Sequence, residues 1–246
     1  MSVPLYWWRA KPNFGDQLAP IIVQHFAKKE VVCSEKPNKL IALGSVLGYA
    51  KNGDSIWGTG LRQEGLLSKK LVVYAVRGQK TRNFLLEQGI ECPEIYGDPA
   101  ILMPMIYRPK IMASVEITIL PHYSDNKLQY LGEQAKLPII HASESPKTVI
   151  DRIVKTKILV TSSLHGLILA EAYGVPVVLL RQKSQVWEPH FKFVDYFLST
   201  GREDQTLWDI SIEESVQHIP NIPKPKPIDQ EKLIKAFPKD FCNKFS

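Results

Sequence analysis

The sequence predicts an α/β fold of two Rossmann-like lobes facing a cleft. Three observations lead there. Short apolar runs alternate with segments of helical period along most of the chain. The alternation passes through two successive β-α-β series, with Tyr107-Arg-Pro-Lys110 as the linker between them. The length of 246 residues allows one large α/β domain or two lobes of roughly 110–120 residues. The expected divisions are 1–108 for the first lobe, 109–220 for the second, and 221–246 for a proline-rich segment and C-terminal helix packing back on the first lobe. A single longer doubly wound sheet is the alternative.

In chain order, Leu5-Tyr-Trp-Trp8 reads as a strand. Asp16 is placed to cap a helix over roughly 17–29, with Leu18, Ile21, Ile22 and Phe26 on one face. Lys39–Leu43 is the next strand, and Ser55-Ile-Trp57 leads into Gly58-Thr59-Gly60. Leu71–Val76 is a strong buried strand, followed by a helix over Gln79–Gln88 that Gly89 ends. Glu94-Ile-Tyr96 precedes Gly97-Asp98-Pro99. The second series has strands at Val115–Leu120 and Leu137–His141, and helices at Lys127–Ala135 and Pro146–Lys155. Lys157–Val160 is a buried strand, Leu167–Tyr173 a helix stopped by Gly174, and Pro176–Leu180 another strand. Ile219–Pro227 is too rich in proline for a helix, and an amphipathic segment at Asp229–Phe237 follows it.

Hydrophobic residues make up 44% and charged residues 23%, as in ordinary globular proteins. Cys33, Cys92 and Cys242 are scattered, which suggests a reducing compartment and neither a disulfide framework nor a zinc site. No secretory signal and no run of 18 apolar residues is read, so a cytoplasmic protein is expected. The net charge of +6 suits an anionic partner. No helix-turn-helix, RRM-type or zinc-finger signature occurs, and no nucleic acid partner is expected. No Asp-x-Asp, His-x-x-x-His or Cys-x-x-Cys pair points to a metal, and no P-loop or dinucleotide fingerprint points to a cofactor. His25, His141, His190 and His218 lack ligand-like spacing and are read as structural.

The strongest chemical signal is Thr161-Ser162-Ser163-Leu164-His165-Gly166, a strand-to-helix turn with hydroxyls, an imidazole and a glycine. Open α/β sheets bind ligands at the carboxyl ends of their strands, and a helix N-terminus attracts anions. His165 is therefore a candidate acid–base, and Ser162, Ser163, Leu164 and Gly166 are candidate substrate contacts; the alternative is a serine cap beside a surface histidine. Other strand ends supply Asn13, Gly15 and Asp16, then Gly44 and Ser45, then Gly58, Thr59 and Gly60, then Asp98. Asp16 is either a cap or a general base. Arg77, directly after a strand and followed by Lys80 and Arg82, could clamp a carboxylate or phosphate. His122 ends the first strand of the second series and could share a site with His165.

Taken in order, Asn13-Phe-Gly-Asp-Gln-Leu18, Leu43-Gly-Ser-Val-Leu47, Ile56-Trp-Gly-Thr-Gly60, Val76–Arg82, Tyr96–Leu102 and Ser163–Val178 resemble the polysaccharide pyruvyl transferase family. The resemblance implies a fold similar to B-type glycosyltransferases. It implies transfer of the pyruvyl group of phosphoenolpyruvate to two hydroxyls of a sugar, in bacterial exopolysaccharide, capsule or cell-wall glycan synthesis. It assigns the family histidine to His165 and the donor-binding arginine to Arg77, with phosphoenolpyruvate as co-substrate and no cofactor or metal. The second lobe then carries the donor, and the first lobe the acceptor. Ser163 stands where some members carry arginine, and the chain is short for the family.

A nucleotide-sugar glycosyltransferase, with Glu171 accepting from a ribose, is the second reading, and a non-catalytic glycan-binding scaffold the third. A glycan or lipid-linked oligosaccharide acceptor would bring the enzyme to the inner membrane face. The tail offers Lys224, Lys226, Lys232, Lys235, Lys239 and Lys244 among Ile228, Leu233, Ile234, Phe237, Phe241 and Phe245 for reversible peripheral attachment. Packing of the same tail across the first lobe is the competing expectation. The oligomeric state is not legible.

Overall fold

The computed structural model describes residues 2–67, 70–110, 112–185 and 189–245. Two parallel sheets form the frame, and among the described residues they do not join into one continuous sheet. The first has the order β2-β1-β3-β4-β5, from β1 (Val3–Tyr6), β2 (Val31–Cys33), β3 (Leu40–Ile41), β4 (Ser55–Trp57) and β5 (Val72–Ala75). The second runs β6-β7-β8-β9, from β6 (Val115–Leu120), β7 (Thr156–Thr161), β8 (Val177–Arg181) and β9 (Leu207–Trp208). Parallel strands need crossovers, and helices supply most of them. The first lobe carries α1 (Phe14–Ala27), α2 (Gln79–Glu87) and α3 (Met103–Ile106). The second carries α4 (Asn126–Gln134), α5 (Pro146–Lys155), α6 (Leu164–Ala172), α7 (Phe191–Ser199) and α8 (Ile212–Gln217). The tail forms α9 (Gln230–Lys235) and α10 (Lys239–Asn243).

Several elements differ from the sequence reading. α1 starts at Phe14 because Asn13 is its cap: the Asn13 side chain accepts from the Gly15 N–H at 3.0 Å. Asp16 lies inside the first turn and leaves the capping to Asn13. Leu137–His141 forms one bridge, Ile119 to Ile139, and no strand. Pro138 has no N–H to give a ladder, and only its carbonyl is used, by Ile119 at 2.9 Å. Glu94–Tyr96 likewise contributes one bridge, Val76 to Tyr96. β2, α7, β9 and α8 were not anticipated.

The largest hydrophobic cluster runs through both lobes. It joins Leu5, Phe14 and Leu18 to Leu164, Ile168 and Phe193, and takes in Leu233 and Phe237 of the tail. Burial of this kind is the main driving force for closing lobes on one another. Smaller clusters lie outside it, one in the first lobe around Ile41, Ile56 and Leu85, the other in the second around Ile119, Val160 and Val178.

The tail crosses the first lobe. Trp57 Nε1 donates to the Leu233 carbonyl at 2.8 Å, and the Phe237 ring stands edge-on to Trp57 at 4.9 Å. Tyr74 donates to Asp240 at 2.8 Å, and Lys29 to the Cys242 carbonyl at 3.1 Å. The tail thus packs across the first lobe, which is one of its two expected placements. Ile228, Leu233, Phe237 and Phe241 are buried in protein, Ile234 and Phe245 are half-buried, and the interleaved lysines are exposed. Among the described residues no helix is long and apolar enough to cross a membrane.

Candidate active site

The turn after β7 is locked before it delivers its histidine. Thr161 Oγ1 donates to the Leu120 carbonyl at 2.6 Å and accepts from the Ser163 N–H at 3.0 Å. Ser163 caps α6 by accepting from the Gly166 N–H at 3.3 Å. Ser162 accepts from the His122 N–H at 2.9 Å and ties the turn to the end of β6. A Cβ on Gly166 would lie 2.6 Å from Thr161 Oγ1, so this turn requires glycine. His165 then sits in the first turn of α6 with 9% of its surface exposed. The surface-residue alternative is excluded.

Strand ends of the first lobe converge on that imidazole. A Cβ on Gly15 would lie 2.0 Å from His165 Nδ1, and one on Gly44, whose φ is +80°, 3.6 Å from Cε1. At Gly15 only glycine lets the first lobe approach the ring so closely, and at Gly44 the positive φ favours glycine. Asp98 is fully buried, accepts from the N–H groups of Ala100 at 3.0 Å and Gly44 at 3.3 Å, and lies 3.7 Å from His165 Nε2. That is beyond hydrogen-bond length. Nε2 is buried and has no hydrogen-bond partner among the described residues. Burial pushes the Asp16 carboxyl up to about 6, and the charge of Asp98 adds to the rise, while His165 and Lys192 oppose it.

These groups back a cavity of about 220 Å³ between the lobes. Of the residues expected at the site, Asn13, Asp16, Ser45, His122, Ser163, Leu164 and His165 line it. Gly15, Gly44, Asp98, Ser162 and Gly166 stand behind that lining in the contacts above. Gly58 packs on Pro99, and Thr59 donates to the Gly44 carbonyl at 2.9 Å. Both shape the wall and do not line it. Gly60 packs on the Arg77 guanidinium.

Arg77 is the main correction. It is fully buried and does not line the cavity. Its Nε donates to Asp195 Oδ2 at 3.0 Å, one terminal nitrogen to Ser45 Oγ at 2.7 Å, and the other to the Leu61 carbonyl at 2.6 Å. It reaches the cavity only through Ser45.

The cations on the lining are Arg62 and Lys192, and the rings are Trp8, Tyr49 and Tyr123. Sequence reasoning missed all five. Lys192 lies on α7, where aromatic residues alternate at Phe191 and Phe193 and mimic a strand; the helical signal was Phe193, Tyr196 and Phe197 at i, i+3 and i+4. Glu171, the ribose acceptor of the nucleotide-sugar reading, is occupied elsewhere. Arg202 grips both its oxygens, at 2.8 and 3.0 Å, and Tyr196 donates to it at 2.6 Å.

A family model described as polysaccharide pyruvyl transferase matches residues 13–184, well over half of the chain. The chain belongs to that family. An uncharacterized protein of Acanthamoeba polyphaga mimivirus is 27% identical over 220 residues, covering 82% of this chain and 76% of the relative. The crystal structure of an uncharacterized protein from Klebsiella pneumoniae matches with a TM-score of 0.50 and 13% identity, covering 85% of this chain and 93% of that one. That likeness concerns the fold alone. The protein is thus a transferase of the polysaccharide pyruvyl transferase family, built on two parallel α/β sheets. The matched span contains Asp16, Ser45, Asp98 and His165 but neither Trp8 nor α7.

Proposed function

We propose that the protein transfers the pyruvyl group of phosphoenolpyruvate to two hydroxyls of one glycan sugar, forming a cyclic ketal and releasing phosphate. The observation that carries this reading is the convergence of Asp16, Asp98 and His165 on one interlobe cavity that Lys192 also lines. Acid–base groups and a cation are what an enol phosphate donor requires.

The bookkeeping is simple. The donor's methylene carbon takes up one proton and becomes a methyl group. The adjoining carbon loses the second bond of its carbon–carbon double bond and its bond to the phosphate oxygen, and gains two bonds to sugar oxygens. The two hydroxyls release two protons; one balances the methyl group and the other leaves on phosphate. Two proton-handling groups of different strength suit this sequence. His165 acts as acid toward the methylene carbon and then as base. Nε2 is buried, with Asp98 3.7 Å away, which leaves Nδ1 as the nitrogen for exchange. Asp16, ionised above about pH 6, accepts the first hydroxyl proton. Lys192 and Arg62 offset the donor's carboxylate and phosphate, with the α6 N-terminus beside them. Arg77 supports Ser45 and does not touch the donor.

The glycan would belong to exopolysaccharide, capsule or cell-wall synthesis. A lipid-linked acceptor would draw the protein to the inner membrane face by its exposed lysines alone. The test is phosphate release from phosphoenolpyruvate over a panel of glycosides. Release that depends on a glycoside supports the proposal. Turnover of a nucleotide sugar with no release from phosphoenolpyruvate would overturn it.

A further inference from the structure

One wall of the cavity is aromatic, and the two lobes share it. Trp8 follows β1 and Tyr123 follows β6. Their rings stack with centroids 5.7 Å apart and planes 27° apart. Both line the cavity together with Asp16 and His165. Neither ring is sealed, since Trp8 is half-buried and Tyr123 is 37% exposed. Lys11 Nζ lies 5.6 Å from the Tyr123 centroid. Rings left partly wet inside a cavity are a natural seat for a ligand with an apolar face and a polar edge.

A pyranose has that form. Its C–H groups lie on the two faces of the ring, and its hydroxyls project around the edge. Ketal formation adds a stricter demand, because two hydroxyls of one sugar must reach the same carbon. A sugar held by its face keeps its edge free to meet Asp16 and His165. A small polyanionic donor gains little from such a wall and fits the Lys192 side. We infer that Trp8 and Tyr123 form the platform on which the acceptor pyranose stacks. This rests on the pyruvyl-transfer reading for the identity of the ligand. One ring comes from each lobe, so the platform exists only with the lobes arranged as they are here. Trp8 precedes the family-matched span and Tyr123 lies within it.

Saturation-transfer difference NMR with methyl glucopyranoside, galactopyranoside and mannopyranoside tests the platform without requiring turnover. Wild-type protein should saturate the C–H protons of one face of at least one sugar. Trp8→Ala and Tyr123→Ala should weaken that signal about tenfold, while Trp8→Phe keeps most of it. Phosphoenolpyruvate binding, followed by its 31P line, should be the same in every variant. If Trp8→Ala does not fold, Tyr123→Ala decides. An undiminished sugar signal in a folded alanine variant overturns the platform, as does no signal from any of the three sugars with wild type. Failure of the pyruvyl-transfer reading looks different: the sugar signal would still depend on Trp8, but phosphoenolpyruvate would not perturb the protein.

Discussion

Two charged clusters lie buried between the lobes, and they are built in opposite ways. At Asp195, the carboxylate accepts from Arg77 Nε at 3.0 Å, the Thr81 N–H at 2.9 Å and the Thr81 hydroxyl at 2.7 Å. A Cβ on Gly78 would lie 2.0 Å from the Asp195 carbonyl oxygen, so backbone packs on backbone there too. At His165, 3.7 Å separates Nε2 from Asp98, Nε2 has no hydrogen-bond partner among the described residues, and Asp16 holds its proton up to about pH 6. A saturated cluster stabilises one arrangement of the lobes. An unsaturated one keeps groups ready for proton transfer, at a cost in stability. Arg77 and His165 look alike in sequence, since each follows a buried strand. Their partners separate clasp from chemistry.

The largest expected effects test that division directly. Asp195→Ala leaves the Arg77 guanidinium buried without its counter-ion and should cost about 3–5 kcal/mol in urea unfolding. A loss below about 1 kcal/mol would show that the clasp does not hold the lobes. His165→Ala should do the reverse, lowering glycoside-dependent phosphate release by about 10²–10⁴-fold with little change in the unfolding midpoint. More than half of normal kcat in that variant removes His165 from the chemistry.

Asp16 predicts a smaller effect with a definite pH signature. Its folded value of about 6 stands above the ordinary 3.8. The folded state therefore keeps a proton that the unfolded chain releases, and this contribution to stability is lost as pH rises from about 4 to 6. Asp16→Asn should abolish that decline and stabilise the protein at neutral pH by up to about 3 kcal/mol, while removing most activity. Unfolding curves at pH 4 and 7 check it; an unchanged pH dependence in the variant contradicts the assignment. In wild type, kcat/KM should rise through about pH 6 as Asp16 ionises.

The mildest change sharpens the comparison most. Arg77→Lys keeps the charge but loses the fork to Asp195, Ser45 and Leu61. It should cost about 1–2 kcal/mol and leave KM for phosphoenolpyruvate unaltered. A raised KM at unchanged stability would return Arg77 to the donor site.

Much of the frame could be read in advance, for reasons that particular residues illustrate. Val115–Leu120 and Pro146–Lys155 were placed to the residue because apolar run, proline at the first turn and flanking polarity agree there. The stretch carrying α7 defeated the same method, since Phe191 and Phe193 alternate as in a strand while Phe193, Tyr196 and Phe197 make the helix face. Leu137–His141 had the apolar content of a strand, but Pro138 left it one bridge.

The sequence by itself determined two parallel α/β lobes, the turn that carries His165, and the small residues that must end the neighbouring strands. These are local matters: periodicity, capping and steric room act within a few residues of each other. Only the tertiary structure decided which strand-end groups meet. It buried Arg77 against Asp195, 118 positions further on, and brought Asp98 within 3.7 Å of His165. It also joined Trp8 to Tyr123 across the lobes. Those pairings depend on how two apolar surfaces close over one core, and no short window of sequence contains both partners.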